Sequence, residues 1–198
     1  GLIARPARGG FDSQALVRHN VATGLLSGAL AKLGNRVDPG EAITAGLLHD
    51  LGKIILNVSR PEVVLNILDP ASTKLGESRL GKEQRLLGAN HAVVGAMLAS
   101  QWQLPPTLVS TIELHHHPAV TALESYTPRI RELTATVFIA NQLAKMLGYH
   151  GDDREIDLPS AELLPSLGLP NSYEEVLATL PPTTHRSLQA FLGEAVAA

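Results

Sequence analysis

Apolar residues recur at intervals of three and four along most of this chain, the spacing that places them on one face of an α-helix. The first such stretch runs over residues 11–33, where Asp12 or Ser13 can cap the helix start and Gly34 marks its end. The pattern predicts a long amphipathic first helix. Its expected core positions are Leu16, Val17, Val21, Leu25, Leu26, Leu30 and Leu33.

The second stretch begins at Asp38 and Pro39, a capping residue followed by the residue best suited to the first turn of a helix. It continues through AITAGLLHDLGKIIL, which is apolar on nearly every side. A helix without a polar face is normally covered by its neighbours. The sequence therefore predicts one central helix over this whole segment.

The same pattern predicts helices along the rest of the chain. They cover about residues 61–68, 77–87, 91–102, 108–117, 128–147, 173–180 and 184–195. Strict alternation of polar and apolar residues is nowhere sustained, so no sheet is expected. The predicted fold class is all-α, a compact bundle of many helices. Residues 1–148 are expected to form its core, and residues 149–198 a linker, GYHGDDREIDLPS, followed by a helical extension packed on that core.

Charge and hydropathy exclude two classes of partner. The chain has 16 Lys and Arg against 19 Asp and Glu, and no segment concentrates the basic residues. Nucleic acid is therefore not an expected partner. Apolar runs end well short of the ~20 residues that cross a membrane, and the first ten residues lack the apolar centre of a signal peptide. We expect a cytoplasmic protein without membrane contact.

Two methionines, the tryptophan and a glycine-containing segment are interpreted as structural. Met97 and Met146 are expected to fill the core, and Trp102 to pack against a neighbouring helix. The segment GESRLGKE has the glycine and lysine spacing of a phosphate-binding loop, but Glu83 stands where Ser or Thr should bind magnesium, and no strand precedes it. Glu83 is instead assigned to the helix that leads into His91.

Histidine is the residue type that offers chemistry. The chain has eight histidines and no cysteine, so a metal site would use imidazole and carboxylate ligands. Six of them lie on or at the ends of predicted helices: His19, His49, His91, His115, His116 and His117. Taken singly, each is more often a structural or surface residue than a ligand.

The doublet of His49 and Asp50 gives the sharper signal, because it lies in an otherwise apolar helix. Burying an ionised carboxylate without a partner is costly. Lys53, three residues further on, can pair with Asp50 across the helix surface, and a divalent cation is the other candidate partner. Lys53 itself is either available to stabilise charge on a phosphate, or a solvent-exposed or helix-terminal lysine that interacts with the helix dipole.

Several segments together resemble the HD superfamily, and its HDOD branch fits best, over residues 11–147. The resembling segments are LVRHNVATG, AGLLHDLGKIIL, EQRLLGANHAVVGAMLASQWQLP, IELHHHP and VFIANQLAKMLG. The resemblance implies a helical HD-superfamily bundle that serves bacterial signal transduction through protein partners. HDOD proteins usually begin with a further helical segment, which this chain does not contain. We therefore expect either a trimmed longer parent or a minimal variant.

Metal-bearing HD-GYP relatives supply the implied ligand set. Carried over by position, the ligands are His19, His49, Asp50, His91, His115, His116 and Asn141. Asp50 would bridge a first ion, near the two earliest histidines, to a second ion held by the three later ones. Asn141 stands where those relatives have an aspartate, and a neutral amide binds a hard cation more weakly than a carboxylate does. Iron, manganese, zinc and nickel all suit imidazole with carboxylate.

The resemblance leaves the activity open. HHHPAVTALES replaces the Gly-Tyr-Pro motif of relatives that hydrolyse cyclic di-GMP, so that substrate is not expected. The favoured expectation is a regulatory module that binds a divalent metal. The alternatives are a metal-dependent phosphohydrolase acting on a phosphoester or nucleotide, with Asp50 and Lys53 as catalytic residues, and a purely structural helical domain.

Overall fold

The computed structural model describes residues 10–117, 124–157 and 162–192. Within these ranges the chain forms helices and no strand, which confirms the predicted all-α class. Residues 118–123, which carry most of the segment compared with the Gly-Tyr-Pro motif, lie outside the described ranges.

The helices follow one another with short connections. They are α1 (Ser13–Gly34), α2 (Pro39–Leu48), α3 (Leu51–Ser59), α4 (Pro61–Leu68), α5 (Arg79–Leu87), α6 (His91–Gln101), α7 (Pro106–Leu114), α8 (Pro128–Met146), α9 (Leu163–Ser166), α10 (Tyr173–Thr179) and α11 (Pro182–Leu192), with a 3-10 turn at Pro70–Ser72. α1 packs against α2 and α8, while α6 packs against α3 and α7.

α1 begins as predicted, because the side chain of Asp12 accepts a hydrogen bond from the N–H of Ala15 at 2.9 Å. Its end lies one residue later than predicted, since Asn35 rather than Gly34 takes the left-handed conformation, with φ of 52°. Of the expected core positions, the buried ones are Leu16, Leu26 and Leu30, and the exposed ones are Val17 and Leu33. The last two assignments are wrong because much of the packed face of α1 consists of small residues.

The prediction of one central helix over AITAGLLHDLGKIIL is wrong, because the segment forms two helices. α2 ends at Leu48 and α3 begins at Leu51. Asp50, between them, has φ of −98° and ψ of 15°, outside the helical region. The break lets α2 pack on α1 while α3 turns toward α6. A run that is apolar throughout carries no periodic signal for such a change of direction.

Glycines allow the helices around this break to approach closely. A Cβ atom on Gly52 of α3 would lie 1.8 Å from the carbonyl oxygen of His91 on α6. A Cβ atom on Gly46 of α2 would lie 2.8 Å from the Cα of Gly24 on α1. No larger residue fits either place unless a helix moves. These two contacts fix the junction of α2 and α3 between α1 and α6.

The largest buried cluster joins α1 and α8 to the C-terminal helices. Leu26 and Phe138 share it with Leu163, Val176 and Leu188. The C-terminal helices therefore contribute to the main hydrophobic core. A division of the chain after residue 148 stays a prediction.

The large side chains of α6 lie on its outer face. Met97 is 61% exposed and Trp102, at the end of the helix, is 56% exposed, so both packing assignments are wrong, as is that of Met146 at 37%. α6 packs instead through small residues, namely Ala92, Gly95, Ala96 and Ala99. No helix in the described ranges is both long and apolar enough to cross a membrane.

Candidate metal centre

Six of the side chains expected to carry chemistry meet in the interior of the bundle. They are His19 of α1, His49 and Asp50 at the junction of α2 and α3, His91 at the start of α6, and His115 and His116 just after α7. All except His116 are buried. Helices from distant parts of the sequence thus direct their polar side chains to one place.

The six side chains form two groups that share Asp50. The ligand atoms lie within 4.8 Å of one another in each group, which are His19, His49 and Asp50, and Asp50, His91, His115 and His116. The carboxylate is divided between them, with Oδ2 3.5 Å from Nε2 of His49 and Oδ1 3.2 Å from Nε2 of His91. This is the grouping that the resemblance implied, and metal binding by it stays a prediction.

Backbone carbonyls hold three of the rings by their outer nitrogens. Nδ1 of His19 donates to the carbonyl of Tyr149, Nδ1 of His49 to that of Gly46, and Nδ1 of His115 to that of Ile112. A carbonyl oxygen only accepts hydrogen bonds, so Nδ1 carries the hydrogen in each ring. Each Nε2 is therefore left with a lone pair directed toward the centre, as in histidines that bind metals.

His91 is held by a carboxylate that sequence reasoning did not assign to the site. Glu83 of α5 is buried and accepts from both Nδ1 of His91, at 2.6 Å, and the backbone N–H of the same residue, at 2.8 Å. Burial opposes ionisation of Glu83, but His91 and Arg79 outweigh it and lower its pKa to about 2. Glu83 is thus ionised, and it holds the ring so that Nε2 of His91 lies 3.2 Å from Oδ1 of Asp50 and 3.0 Å from Nε2 of His116. Its only signal in the sequence is a carboxylate on the helix before the histidine.

Two of the inward lone pairs oppose each other directly. Nε2 of His19 lies 3.2 Å from Nε2 of His49, and both rings hold their hydrogen on Nδ1. A proton between the two nitrogens would remove the repulsion, but burial lowers the pKa of His19, and that of His49 well below its usual value, despite the opposing effect of Asp50. A divalent cation supplies the missing positive charge without requiring an imidazolium.

Unpartnered atoms in the second group support the same fit. Nε2 of His115 and Oδ1 of Asp50 are buried without a hydrogen bond of ordinary geometry, although they lie 3.6 Å apart. Buried polar atoms normally have a partner. An inward imidazole nitrogen and an inward carboxylate oxygen are both acceptors, and a metal ion satisfies them together. The donor set therefore fits a divalent metal.

Asn141, the seventh residue of the implied ligand set, is buried in α8. Its Oδ1 has no hydrogen-bond partner. A buried amide oxygen in this state suits a ligand or a bound water. Its role toward a metal stays a prediction.

Lys53 is buried, so the interpretation of it as a solvent-exposed lysine is wrong. Its Nζ donates to Oδ2 of Asp50 at 2.7 Å, which confirms the predicted pair, and lies 3.3 Å from Oδ1 of Asp152. Arg79 in turn donates to Oδ2 of Asp152 and to Oε1 of Glu83, each at 2.9 Å. A continuous row of alternating charges therefore connects the carboxylates behind the two groups. A catalytic role for Lys53 and Asp50 stays a prediction.

Comparison with known proteins gives the family. The HDOD domain profile matches residues 2–118, more than half of the sequence. The chain belongs to the HDOD domain family. The matched region contains His19, His49, Asp50, His91, His115 and His116.

Solved structures share the fold of this HDOD domain. A response regulator from Methylococcus capsulatus is 20% identical over 85% of this chain and 60% of its own, with a TM-score of 0.62. An HDOD domain protein of unknown function from Geobacter sulfurreducens is 20% identical over 92% of this chain and 61% of its own, also at 0.62. A candidate phosphohydrolase from Shewanella amazonensis is 25% identical over 98% of this chain and 65% of its own, at 0.61.

Relatives known from their sequences are much longer than this chain. An uncharacterized protein of Treponema pallidum is 32% identical over 127 residues, which is 63% of this chain and 23% of that protein. The chain thus spans about a quarter of the length of this relative. It covers 60%, 65% and 61% of the response regulator, the candidate phosphohydrolase and the HDOD domain protein described above.

Proposed function

We propose that this HDOD domain is a bacterial signal-transduction module that binds a divalent metal through its His/Asp cluster and acts through a protein partner. The observation that carries the proposal is the orientation of the rings: His19, His49, His91 and His115 are each anchored by Nδ1, so that their Nε2 atoms converge on Asp50. Outward anchoring of this kind orients imidazole ligands and fixes their tautomer.

The metal would be held by the two groups that share Asp50. Five imidazole nitrogens with one carboxylate, and no thiolate in the chain, favour iron, manganese, zinc or nickel over calcium or magnesium. Since His116 is the one member of the cluster that is partly exposed, the second group is the one nearer to solvent.

The signalling role is supported by the family and by the nature of its structural neighbours. One neighbour of this HDOD domain is a response regulator, and the organisms of the relatives are bacteria. A bundle whose polar centre joins the ends of several helices can couple occupancy of that centre to the positions of those helices. Metal or nucleotide occupancy would then alter the surface offered to a protein partner.

A second candidate function is metal-dependent hydrolysis of a phosphoester or nucleotide. The similarity to a candidate phosphohydrolase and the convergence of ligands on a bridging carboxylate favour it. A bound divalent ion would supply Lewis-acid activation of a phosphoryl oxygen and of water. Asp50 would then position the ion, and Lys53, the buried cation beside it, would stabilise negative charge on a phosphate.

Elemental analysis of the purified protein tests the proposal. We expect near-stoichiometric metal in the parent chain and its loss in the double variant His115→Ala, His116→Ala. His185→Ala is the matched control, because His185 is an exposed histidine of α11, and its metal content should equal that of the parent. A parent chain that stays metal-free after reconstitution with iron, manganese or zinc would contradict the proposal.

Turnover of p-nitrophenyl phosphate by the metal-loaded protein separates the two candidate functions. Hydrolysis that is lost with the metal, and lost in Lys53→Met, would favour the phosphohydrolase. Stoichiometric metal without hydrolysis would favour the regulatory module.

A further inference from the structure

Residues 149–153, here called the strap, follow α8 and lie across the first group of candidate ligands. The carbonyl of Tyr149 accepts the hydrogen bond from Nδ1 of His19. Gly151, with φ of 58°, passes so close that a Cβ atom there would lie 3.4 Å from the Cβ of His19. At its end, Asp153 accepts a hydrogen bond from Nζ of Lys145 at 2.7 Å. The strap is thus joined to the centre at several points.

Asp152 extends from the strap into the row of charges beside the centre. Its side chain is only 6% exposed. One oxygen accepts from Arg79 at 2.9 Å, while the other, 3.3 Å from Nζ of Lys53, has no hydrogen bond of ordinary geometry. A buried carboxylate held by two cations, with one oxygen incompletely bonded, occupies a site that would also suit another oxyanion.

Once a metal is present, the charges nearby favour the replacement of Asp152 by another oxyanion. Two cations, Lys53 and Arg79, face three carboxylates, Asp50, Glu83 and Asp152, which leaves one excess negative charge when the histidines are neutral. One divalent ion would turn this into one excess positive charge. Withdrawal of Asp152 would raise it to two, which matches a phosphate dianion.

Space for a larger ligand lies next to this row. A cavity of about 190 Å³ is lined by Arg79, His116 and Lys145, and also by three acidic residues, Asp153, Glu155 and Asp157. Arg79 also contacts Asp152, and His116 belongs to the second group of candidate ligands. The cavity therefore adjoins both the anion site and the partly exposed edge of the centre.

We propose that Asp152 is an internal stand-in for a phosphate group, held between Lys53 and Arg79, and that a phosphomonoester reaches the centre when the strap withdraws this carboxylate. The strap is then an autoinhibitory element, and its ligand is a phosphate dianion or the phosphate of a small ester. The inference deepens the proposed function and rests on it for the position of the phosphate beside a metal.

Binding of inorganic phosphate, measured by isothermal titration calorimetry on the whole chain, tests the inference. Asp152→Ala removes the competing carboxylate and is expected to bind phosphate on the order of ten-fold more tightly than the parent chain. Glu174→Ala is the control: it makes the same change of charge at an exposed position of α10, outside the strap and the row of charges. Its phosphate affinity should equal that of the parent.

Two further variants separate a phosphate site from a general loosening of the fold. Adding Arg79→Gln to Asp152→Ala should abolish the gain, because it removes one of the two cations. Asp152→Asn keeps the shape of the side chain and should show a smaller gain in the same direction, even if the alanine variant folds poorly. An equal gain in Glu174→Ala, a gain that survives Arg79→Gln, or no gain in either Asp152 variant would overturn the inference.

Metal content, measured on the same samples, distinguishes this inference from the proposed function. A parent chain that binds metal, together with Asp152 variants that show no gain in phosphate affinity, would reject the stand-in role alone. A gain that is lost with Arg79→Gln in a chain that binds no metal would support the anion site and reject the metal centre.

Discussion

Replacing Glu83 by glutamine tests whether its hydrogen bonds with His91 hold that residue, a member of the second group of candidate ligands, in position. Glu83 accepts hydrogen bonds from the backbone and the ring of His91 and from Arg79. Burial raises the pKa of Glu83, but His91 and Arg79 lower it by more, so that it falls from 4.5 to about 2. A carboxyl pKa that is depressed on folding stabilises the native state at pH values above the ordinary pKa, so the whole contribution is present at neutral pH. Its size is roughly 3 kcal/mol.

We therefore expect Glu83→Gln to lower the free energy of unfolding at neutral pH by about 2–3 kcal/mol, measured by urea denaturation. Because the ring of His91 loses its carboxylate anchor, metal affinity should fall about 10- to 100-fold in a chelator competition. Glu77→Gln is the control, since Glu77 pairs with Arg85 in a partly exposed place and should matter little. A Glu83→Gln chain with the stability and metal affinity of the parent would refute this reasoning.

Three further predictions concern other parts of the molecule. Asn141→Asp should tighten metal binding in the same chelator competition, and an unchanged affinity would count against its assigned place. Gly52→Ala should cost more than about 3 kcal/mol of stability in urea, because its Cβ would lie 1.8 Å from the carbonyl oxygen of His91, and parent-like stability would contradict the contact. For Asp153, burial raises the carboxyl pKa, but the opposing effect of Lys145 is larger and brings the pKa below the ordinary 3.8. Its stabilisation is therefore present above that pH and is lost as the pH falls through the folded pKa, so Asp153→Asn should lower the Tm at neutral pH, and the difference from the parent should shrink as the pH falls below 3.8. A difference that is constant with pH would argue against the ion pair.

The helices were predictable wherever polar and apolar residues contrast along the chain. Asp12 caps α1 as expected, and α4 begins and ends where its flanking prolines place it. The break between α2 and α3 was not predictable, because the segment is apolar on every side and its direction is set by contacts at Gly46 and Gly52 with distant residues. The exposure of Met97 was not predictable either, because α6 packs through small residues.

The residues of the candidate site also divide into those that could be predicted from the sequence and those that could not. The doublet of His49 and Asp50 could be found because a charged pair in an apolar segment needs a partner. Glu83 and Asp152 could not, since they come from a polar helix and a polar linker, in which carboxylates usually face solvent. Only the fold places these two carboxylates against Arg79, within the interior.

Metal ligation through Nε2 can be tested directly by anomalous diffraction from crystals of the protein loaded with manganese, iron or zinc. The orientation of the rings predicts an anomalous peak beside Asp50 that contacts Nε2 of His19 and His49, or Nε2 of His91 and His115, with every Nδ1 still bonded outward. A protein that takes up no ion at Asp50, or one whose histidines turn to bind through Nδ1, would contradict the account.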